Sequence, residues 1–233
     1  MKREIYSWIV VIAVVIVLRA VFVEAFVIPT GSMEKTLLIG DALLVNRFIY
    51  GMKIPIPFSN TQIPLVPGRI PQKGDIVVFV SPFELKDVVK RCCAVPGDTV
   101  VLVDKVLYVN GERVREPYVR HIDSRYYPRV PYDSSLYQKR WEQAELGEIF
   151  GLNVRDNFGP VIVPDDHIFV MGDNRDNSLD SRYWGPLHTK YLKGKPLVIY
   201  FSFDPGKEAS TIFDLIRIWE WKALRLSRIG KVV

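Results

Sequence analysis

The chain has 233 residues, 48% of them hydrophobic, and a formal charge of +5, enough for one substantial core or a core with a small satellite domain. Its basic residues gather at the two ends, which argues against nucleic acid, whose readers need a basic stripe on the folded domain, and points to an anionic membrane surface instead. Both cysteines, Cys92 and Cys93, are adjacent; an extended dipeptide cannot meet disulfide geometry, so they read as small buried apolar residues, and no metal site follows from them.

Behind Met1-Lys-Arg-Glu, the run from Ile5 to Leu18 carries no charge, and apolar residues resume after Arg19. As a helix, Ile5 to Val23 would be about 28 Å long at ~1.5 Å per residue, the hydrocarbon thickness of a bilayer. The segment 1–24 is therefore expected to be a single transmembrane anchor, with Arg19 snorkelling to the far interface. Lys2 and Arg3 predict a cytoplasmic N-terminus and place the remainder outside the cytoplasm. A cleaved secretory signal ending at Val23-Glu24-Ala25 is the competing account; Glu24 and the length of the run favour the anchor.

Next comes Phe26-Val-Ile-Pro-Thr-Gly-Ser-Met33, where Pro29, Thr30 and Gly31 put a bend directly before Ser32. Taken alone, this stretch is most simply an ordinary turn leading into a strand. Asp41 to Asn46 is a strand candidate. Met52 to Gln72 carries Pro55, Pro57, Pro64, Pro67 and Pro71, which excludes helix and central strand; it is expected to be an extended surface loop, lying against the membrane or covering the core. Ile76 to Val80 and Asp87 to Val95 read as strands, the second stopping at Pro96-Gly97. Val100–Val103 and Val106–Val109 make a hairpin through Asp104-Lys105, and Asn110-Gly111 is a type I′ turn signal.

Glu116 to Pro160 is rich in Tyr, Pro and charge with weak periodicity, and is expected to form a small, loop-rich β lobe. Strand character returns at Val161–Val163 and Ile168–Met171, followed by Gly172-Asp-Asn-Arg-Asp-Asn-Ser-Leu-Asp-Ser-Arg-Tyr-Trp-Gly185 and a last strand, Pro196–Phe203. Asp176, Ser178 and Asp180 alternate as in a calcium loop, but the sixth-position Gly and the bidentate Glu are missing, and Arg175 and Arg182 would oppose a cation. The segment from Ile212 to Lys231 sorts into an apolar and a basic face. It is expected to be an amphipathic helix, on the membrane surface or packed on the domain.

One lysine stands out. With a period of two, the strand from Asp87 to Val95 groups Val88, Lys90, Cys92 and Ala94 on one face and Val89, Arg91, Cys93 and Val95 on the other. If both faces are buried, Arg91 must be paired, whereas Lys90 can lose its proton: desolvation lowers a lysine pKa from about 10.4. A neutral amine can then activate a serine hydroxyl. A lysine at the strand edge, reaching water over a buried stem, is the plainer account of the strand alone.

Together, Pro29-Thr-Gly-Ser-Met33, Gly74-Asp-Ile-Val-Val-Phe79, Lys90-Arg91 through Pro96-Gly-Asp98, and the stretch from Gly172 to Arg182 resemble the signature boxes of bacterial type I signal peptidase, in that family's order. The resemblance runs from about Phe22 to Phe203, and Leu224–Gly230 resembles the family's C-terminus. It implies a membrane-anchored serine endopeptidase that removes N-terminal signal peptides from exported preproteins after an Ala-X-Ala-like motif. Ser32 would be the nucleophile and Lys90 the general base. The Ser32 N–H and the Thr30 hydroxyl would form the oxyanion hole. Ser178 would orient Lys90, Asp180 and Arg182 would support the site, and Ile28, Met33, Leu37 and Val89 would line the first substrate pocket. The substrate would bind as an added strand. Ala94, in place of a usual glycine, and Val88, in place of a commoner aromatic, depart from the family pattern.

The expected fold is mainly β: an antiparallel β-sheet catalytic core (25–103 and 165–210), a smaller inserted β lobe (104–164), one N-terminal transmembrane helix and an amphipathic C-terminal helix (211–233). The expected location is the bacterial inner (plasma) membrane, single-pass, with the catalytic domain on the periplasmic side. Expected partners are signal peptides and membrane lipid, without nucleic acid, cofactor or metal, and the chain is expected to be a monomer. A self-cleaving repressor-type Ser-Lys protease would need a DNA-binding domain where the anchor stands. A Ser-His-Asp hydrolase lacks a nucleophile-elbow motif near His121, His167 or His188. A membrane-anchored binding module without activity stays open, because a sequence cannot show that these residues converge.

Overall fold

The computed structural model describes residues 23–55, 62–83, 86–204 and 224–233, together with Trp8 and Val11. In chain order the strands are β1 (Val23–Val27), β2 (Asp41–Asn46), β3 (Gly51–Pro55), β4 (Gln62–Pro67), β5 (Ile76–Val80), β6 (Asp87–Ala94), β7 (Thr99–Val103), β8 (Val106–Val109), β9 (Glu112–Arg113), β10 (Phe158–Ile162), β11 (His167–Met171), β12 (Leu187–His188) and β13 (Leu192–Ser202). Seven of them form one antiparallel sheet in the order β1-β2-β13-β5-β6-β11-β12, and four form a smaller sheet, β10-β7-β8-β9. The mainly antiparallel β architecture matches the sequence expectation.

β6 sits inside the large sheet between β5 and β11, and its last six residues are all buried. That is what an apolar pattern on both faces requires. A larger core cluster, containing Val77, Phe79, Cys92, Trp141 and Phe169, fills the space between the sheets, while Val89 packs in a smaller cluster with Ile28, Leu37, Val78 and Ile199. The hairpin turns follow their residues: Asp104 and Lys105 have φ of 48° and 69°, and Asn110 and Gly111 have 54° and 81°, the left-handed pairs of type I′ turns.

Four expectations change. The strand Thr99–Val103 pairs with β8 and β10, so it belongs to the smaller sheet and the boundary expected at 103 falls on its wrong side. The insertion is not only β: α1 (Ser134–Glu142) and α2 (Leu146–Phe150) lie between β9 and β10. Within α1 only Tyr137 and Trp141 are buried, one residue per turn, too narrow a stripe to register as helical periodicity. Asp133 nonetheless caps α1, accepting from the N–H groups of Ser135 and Leu136 at 2.8 and 3.2 Å. The proline-rich stretch folds as a two-stranded hairpin, with β3 against β4, which prolines tolerate because neither strand is central; residues 56–61 lie outside the described residues.

The fourth change concerns the chain end. Residues 224–233 are not helical apart from one 3₁₀ turn, Leu226–Arg228. They run beside β13, with Ile199 N donating to Lys231 O at 2.9 Å and Val233 N to Leu197 O at 3.0 Å. The reason is Arg228, whose guanidinium reaches the fully buried Asp41 and also donates to Thr36 O at 2.9 Å; no surface helix allows that reach. Residues 205–223, which carry the rest of the expected helix, lie outside the described residues. So does almost all of the anchor expected over 1–24, whose last two residues, Val23 and Glu24, begin β1. Among the described residues no helix is long and apolar enough to cross a membrane.

Removing one partner of a buried ion pair strands the other charge, at a cost of about 3–5 kcal/mol. Arg228→Ala should therefore lower the unfolding free energy by that amount in a urea titration of the full chain. A change below about 1 kcal/mol, the range of exposed pairs, would show that the strap does not hold Asp41.

Candidate active site

Ser32 lies on a 3₁₀ turn, Gly31–Met33, that leaves β1 through an extended Thr30 (φ −132°, ψ 155°). The β1–β2 pairing continues past the strand ends, with Ile28 N donating to Asp41 O and Gly40 N to Ile28 O. The turn is thereby pinned at both ends. Lys90 comes from β6, and its Nζ donates to Ser32 Oγ at 2.6 Å. Only 3% of Lys90 and 8% of Ser32 is exposed, so the lysine is not at a wet strand edge. The Thr30 hydroxyl stands 3.5 Å from Ser32 Oγ.

The loop after β11 locks this pair in place. Asn174 N donates to Ser32 O at 3.0 Å, and its side-chain amide donates to Gly31 O at 3.2 Å. Asp173 accepts from Arg91 through both oxygens, at 2.8 and 2.7 Å, and from the Thr36 hydroxyl at 2.5 Å. This answers the demand that Arg91 be paired. Burial opposes the guanidinium charge, but hydrogen bonding and attraction to Asp173 outweigh it, and the group is held above its ordinary range. Tyr118 covers the other side, its ring centroid 3.8 Å from the guanidinium carbon.

Ser178 Oγ donates to Asp180 Oδ2 at 2.7 Å and accepts from Gly172 N at 3.1 Å. Asp180 and Arg182, both fully buried, form a two-point pair at 2.8 and 2.9 Å. Arg182 also donates to Arg175 O at 2.8 Å within the loop and to Arg155 O at 2.7 Å, the second bond tying the loop to the insertion. Burial alone would raise the Asp180 carboxyl. The charge and hydrogen bond of Arg182, then the Ser178 hydroxyl and the charge of Lys90, overcome it and leave the group below its usual 3.8.

The structure thus brings together Thr30, Ser32, Lys90, Ser178, Asp180 and Arg182. Ile28, Met33, Leu37 and Val89 are placed differently from an open pocket: they are at most 5% exposed and pack in the smaller core cluster. The cavity that opens beside Ser32 and Lys90 is bounded instead by residues such as Phe79, Val88 and Trp184. Sequence reasoning assigned no role to Asp173 and Asn174. The signal for Asp173 was the buried Arg91 and its need for a carboxylate; Asn174 reaches the serine turn through both its backbone N–H and its side-chain amide, a long-range contact that no local spacing announces.

The sequence model of the family described as signal peptidase, peptidase S26, matches residues 1–201. The chain belongs to that family. A signal peptidase I of Pseudomonas aeruginosa is 37% identical over 223 residues, covering 89% of this chain and 75% of the relative. A signal peptidase I of Rickettsia typhi is 32% identical, covering 99% of this chain and 93% of the relative. A solved signal peptidase I from Enterococcus faecalis V583 is 29% identical, with a TM-score of 0.37, covering 55% of this chain and 97% of that one. This S26 peptidase is accordingly a hydrolase, a serine endopeptidase.

Two outcomes check the loop's part in the S26 site. A Cβ added at Gly172 would stand 2.5 Å from Ser32 O and closer still to Ser178 Oγ. Gly172→Ala should therefore displace the serine turn and cut peptidase activity by at least about tenfold in a turnover assay, the scale of a 1.4 kcal/mol rise in barrier. Activity within twofold of wild type would contradict the close packing. For Asp180 the sign follows from its lowered folded pKa: its stabilisation is full above the unfolded value of about 3.9 and is lost as pH falls through the folded one. The unfolding free-energy gap between wild type and Asp180→Asn should be widest near neutrality and narrow below about pH 4; a gap independent of pH would contradict the ion pair.

Proposed function

We propose that this peptidase removes N-terminal signal peptides from exported preproteins, using Ser32 as nucleophile and a neutral Lys90 as general base. The observation that carries this is the 2.6 Å contact from Nζ to Oγ inside a buried site. Ser32 Oγ gives its proton to Nζ as it bonds to the scissile carbonyl carbon. The Ser32 N–H and the Thr30 hydroxyl receive the oxyanion. Collapse breaks the C–N bond, and Nζ passes the proton to the leaving amine. Water then loses a proton to Nζ and adds to the acyl carbon; the ester bond breaks, and the proton returns to Ser32 Oγ.

Ser178 orients Lys90 in this reading, and Asp180 with Arg182 braces Ser178. The Asp180 charge favours an ammonium, but Arg182 engages both its oxygens. Ile28, Met33, Leu37 and Val89 form the floor of the first substrate pocket. Because that floor is already close-packed, it has room only for a small side chain, in keeping with cleavage after an Ala-X-Ala-like motif. The apolar run from Ile5 to Val23 supports a single-pass anchor in the plasma (inner) membrane. Lys2 and Arg3 put the N-terminus in the cytoplasm and the catalytic domain on the periplasmic side. Lipid and signal peptide are the partners of this reading, and the working unit is a monomer.

The test is cleavage of a secretory precursor by the detergent-solubilised full chain. Ser32→Ala and Lys90→Ala should each reduce turnover by at least on the order of 10³-fold, as losses within one catalytic unit do, with the fold retained by circular dichroism. Cleavage that survives Lys90→Ala would exclude the dyad.

A further inference from the structure

The cavity beside the dyad has a volume of about 230 Å³, and Ser32 and Lys90 form part of its wall. The rest sets an apolar side, formed by Phe79, Phe83, Val88, Leu179 and Trp184, against polar residues that include Ser81 and Asn177. Trp184 is the centre of an aromatic wall, its ring 6.0 Å from Phe79 and 6.1 Å from Phe83 between centroids. Two residues at the mouth are conspicuous, because Phe83 is 53% and Leu179 57% exposed. Large apolar side chains held in water beside a catalytic pair mark a surface awaiting a ligand. The volume falls short of the ~300–1,000 Å³ that engulfs a drug-sized molecule, and far exceeds a methyl group. It suits one large side chain.

Which part of a substrate enters is set by chemistry. Lys90 Nζ must hand its proton to the departing amine, so the chain beyond the scissile bond passes along Nζ, which is on the cavity wall. An extended substrate also alternates sides at each residue. With the small residue before the bond on the Val89 side, as the proposed function has it, the residue after the bond faces the Val88 side. We propose that this cavity is the subsite for the residue immediately following the cleaved bond, and that it selects preproteins whose mature chain begins with a large apolar or aromatic residue. Val88 sets the room available: β6 presents it toward Phe79 across the strand pair, and a larger side chain there would fill the cavity.

This inference rests on the peptidase reading, and one experiment separates the two. Peptides identical except for Gly, Ala, Leu or Phe after the cleavage site are turned over by the full chain in detergent. The wild type should show kcat/KM about tenfold higher for Leu or Phe than for Ala, the discrimination one apolar pocket supplies. In Val88→Tyr that ratio should fall to near one. Phe83→Ala removes a half-exposed ring that belongs to neither core cluster, and should lower the ratio severalfold. A ratio compares substrates on one preparation, so partial misfolding cancels. A wild-type ratio near one, a ratio unmoved by both variants, or a dependence confined to residues before the bond would overturn the assignment while leaving the peptidase reading intact. No cleavage of any peptide would refute that reading, and the subsite with it.

Discussion

A strand buried on both faces that carries two adjacent cations poses a problem that charge pairing alone does not solve. β6 answers it in two ways. Arg91 keeps its proton and takes the Asp173 carboxylate through two hydrogen bonds. Lys90 points to the other side and donates to the Ser32 hydroxyl. An ammonium there would have to be held out of water; a neutral amine there is a base. In the proposed dyad, the burial that makes the lysine costly as a cation is what would make it useful, and the surrounding contacts hold hydroxyl and amine together.

That service is shared by elements far apart in sequence. The serine turn is held from in front by Asn174, from the side by Thr36 on Asp173, and from behind by Arg228, which bonds both Thr36 O and Asp41. Asp173 therefore links the turn bearing Ser32 to the strand bearing Lys90 through a single carboxylate. Gly172 lets the loop after β11 approach closely enough for this, since no side chain fits between Ser178 and Ser32 O. The large sheet supplies the rigid frame, and the insertion reaches the site through the bond from Arg182 to Arg155 O.

Much of this was legible in the residues. Short apolar runs bounded by turn signals located β5, β6 and β11, and the Asn110-Gly111 turn declared itself, because each depends on local geometry that residue type controls directly. The residues that gather around Ser32 became visible through their motifs, and the requirement that Arg91 be paired followed from burial. What stayed hidden depends on contacts between distant segments. α1 has one buried residue per turn, so its stripe is too thin to read. Residues 224–233 have a helical charge pattern, but the buried Asp41 and the backbone of β13 claim the segment instead. The close packing of Met33 and Leu37 in the smaller core cluster is a tertiary contact that no spacing encodes.

The account stands or falls on the protonation state of Lys90. The direct measurement is an NMR pH titration of the lysine Cε and Nζ resonances of the full chain in detergent, with Lys90→Met to identify the signal. The account predicts that Lys90 titrates well below the reference of about 10.4 and carries no proton on its lone pair at neutral to mildly alkaline working pH. A Lys90 signal that stays fully ammonium up to pH 10 would contradict it, because the serine would then have no proton acceptor.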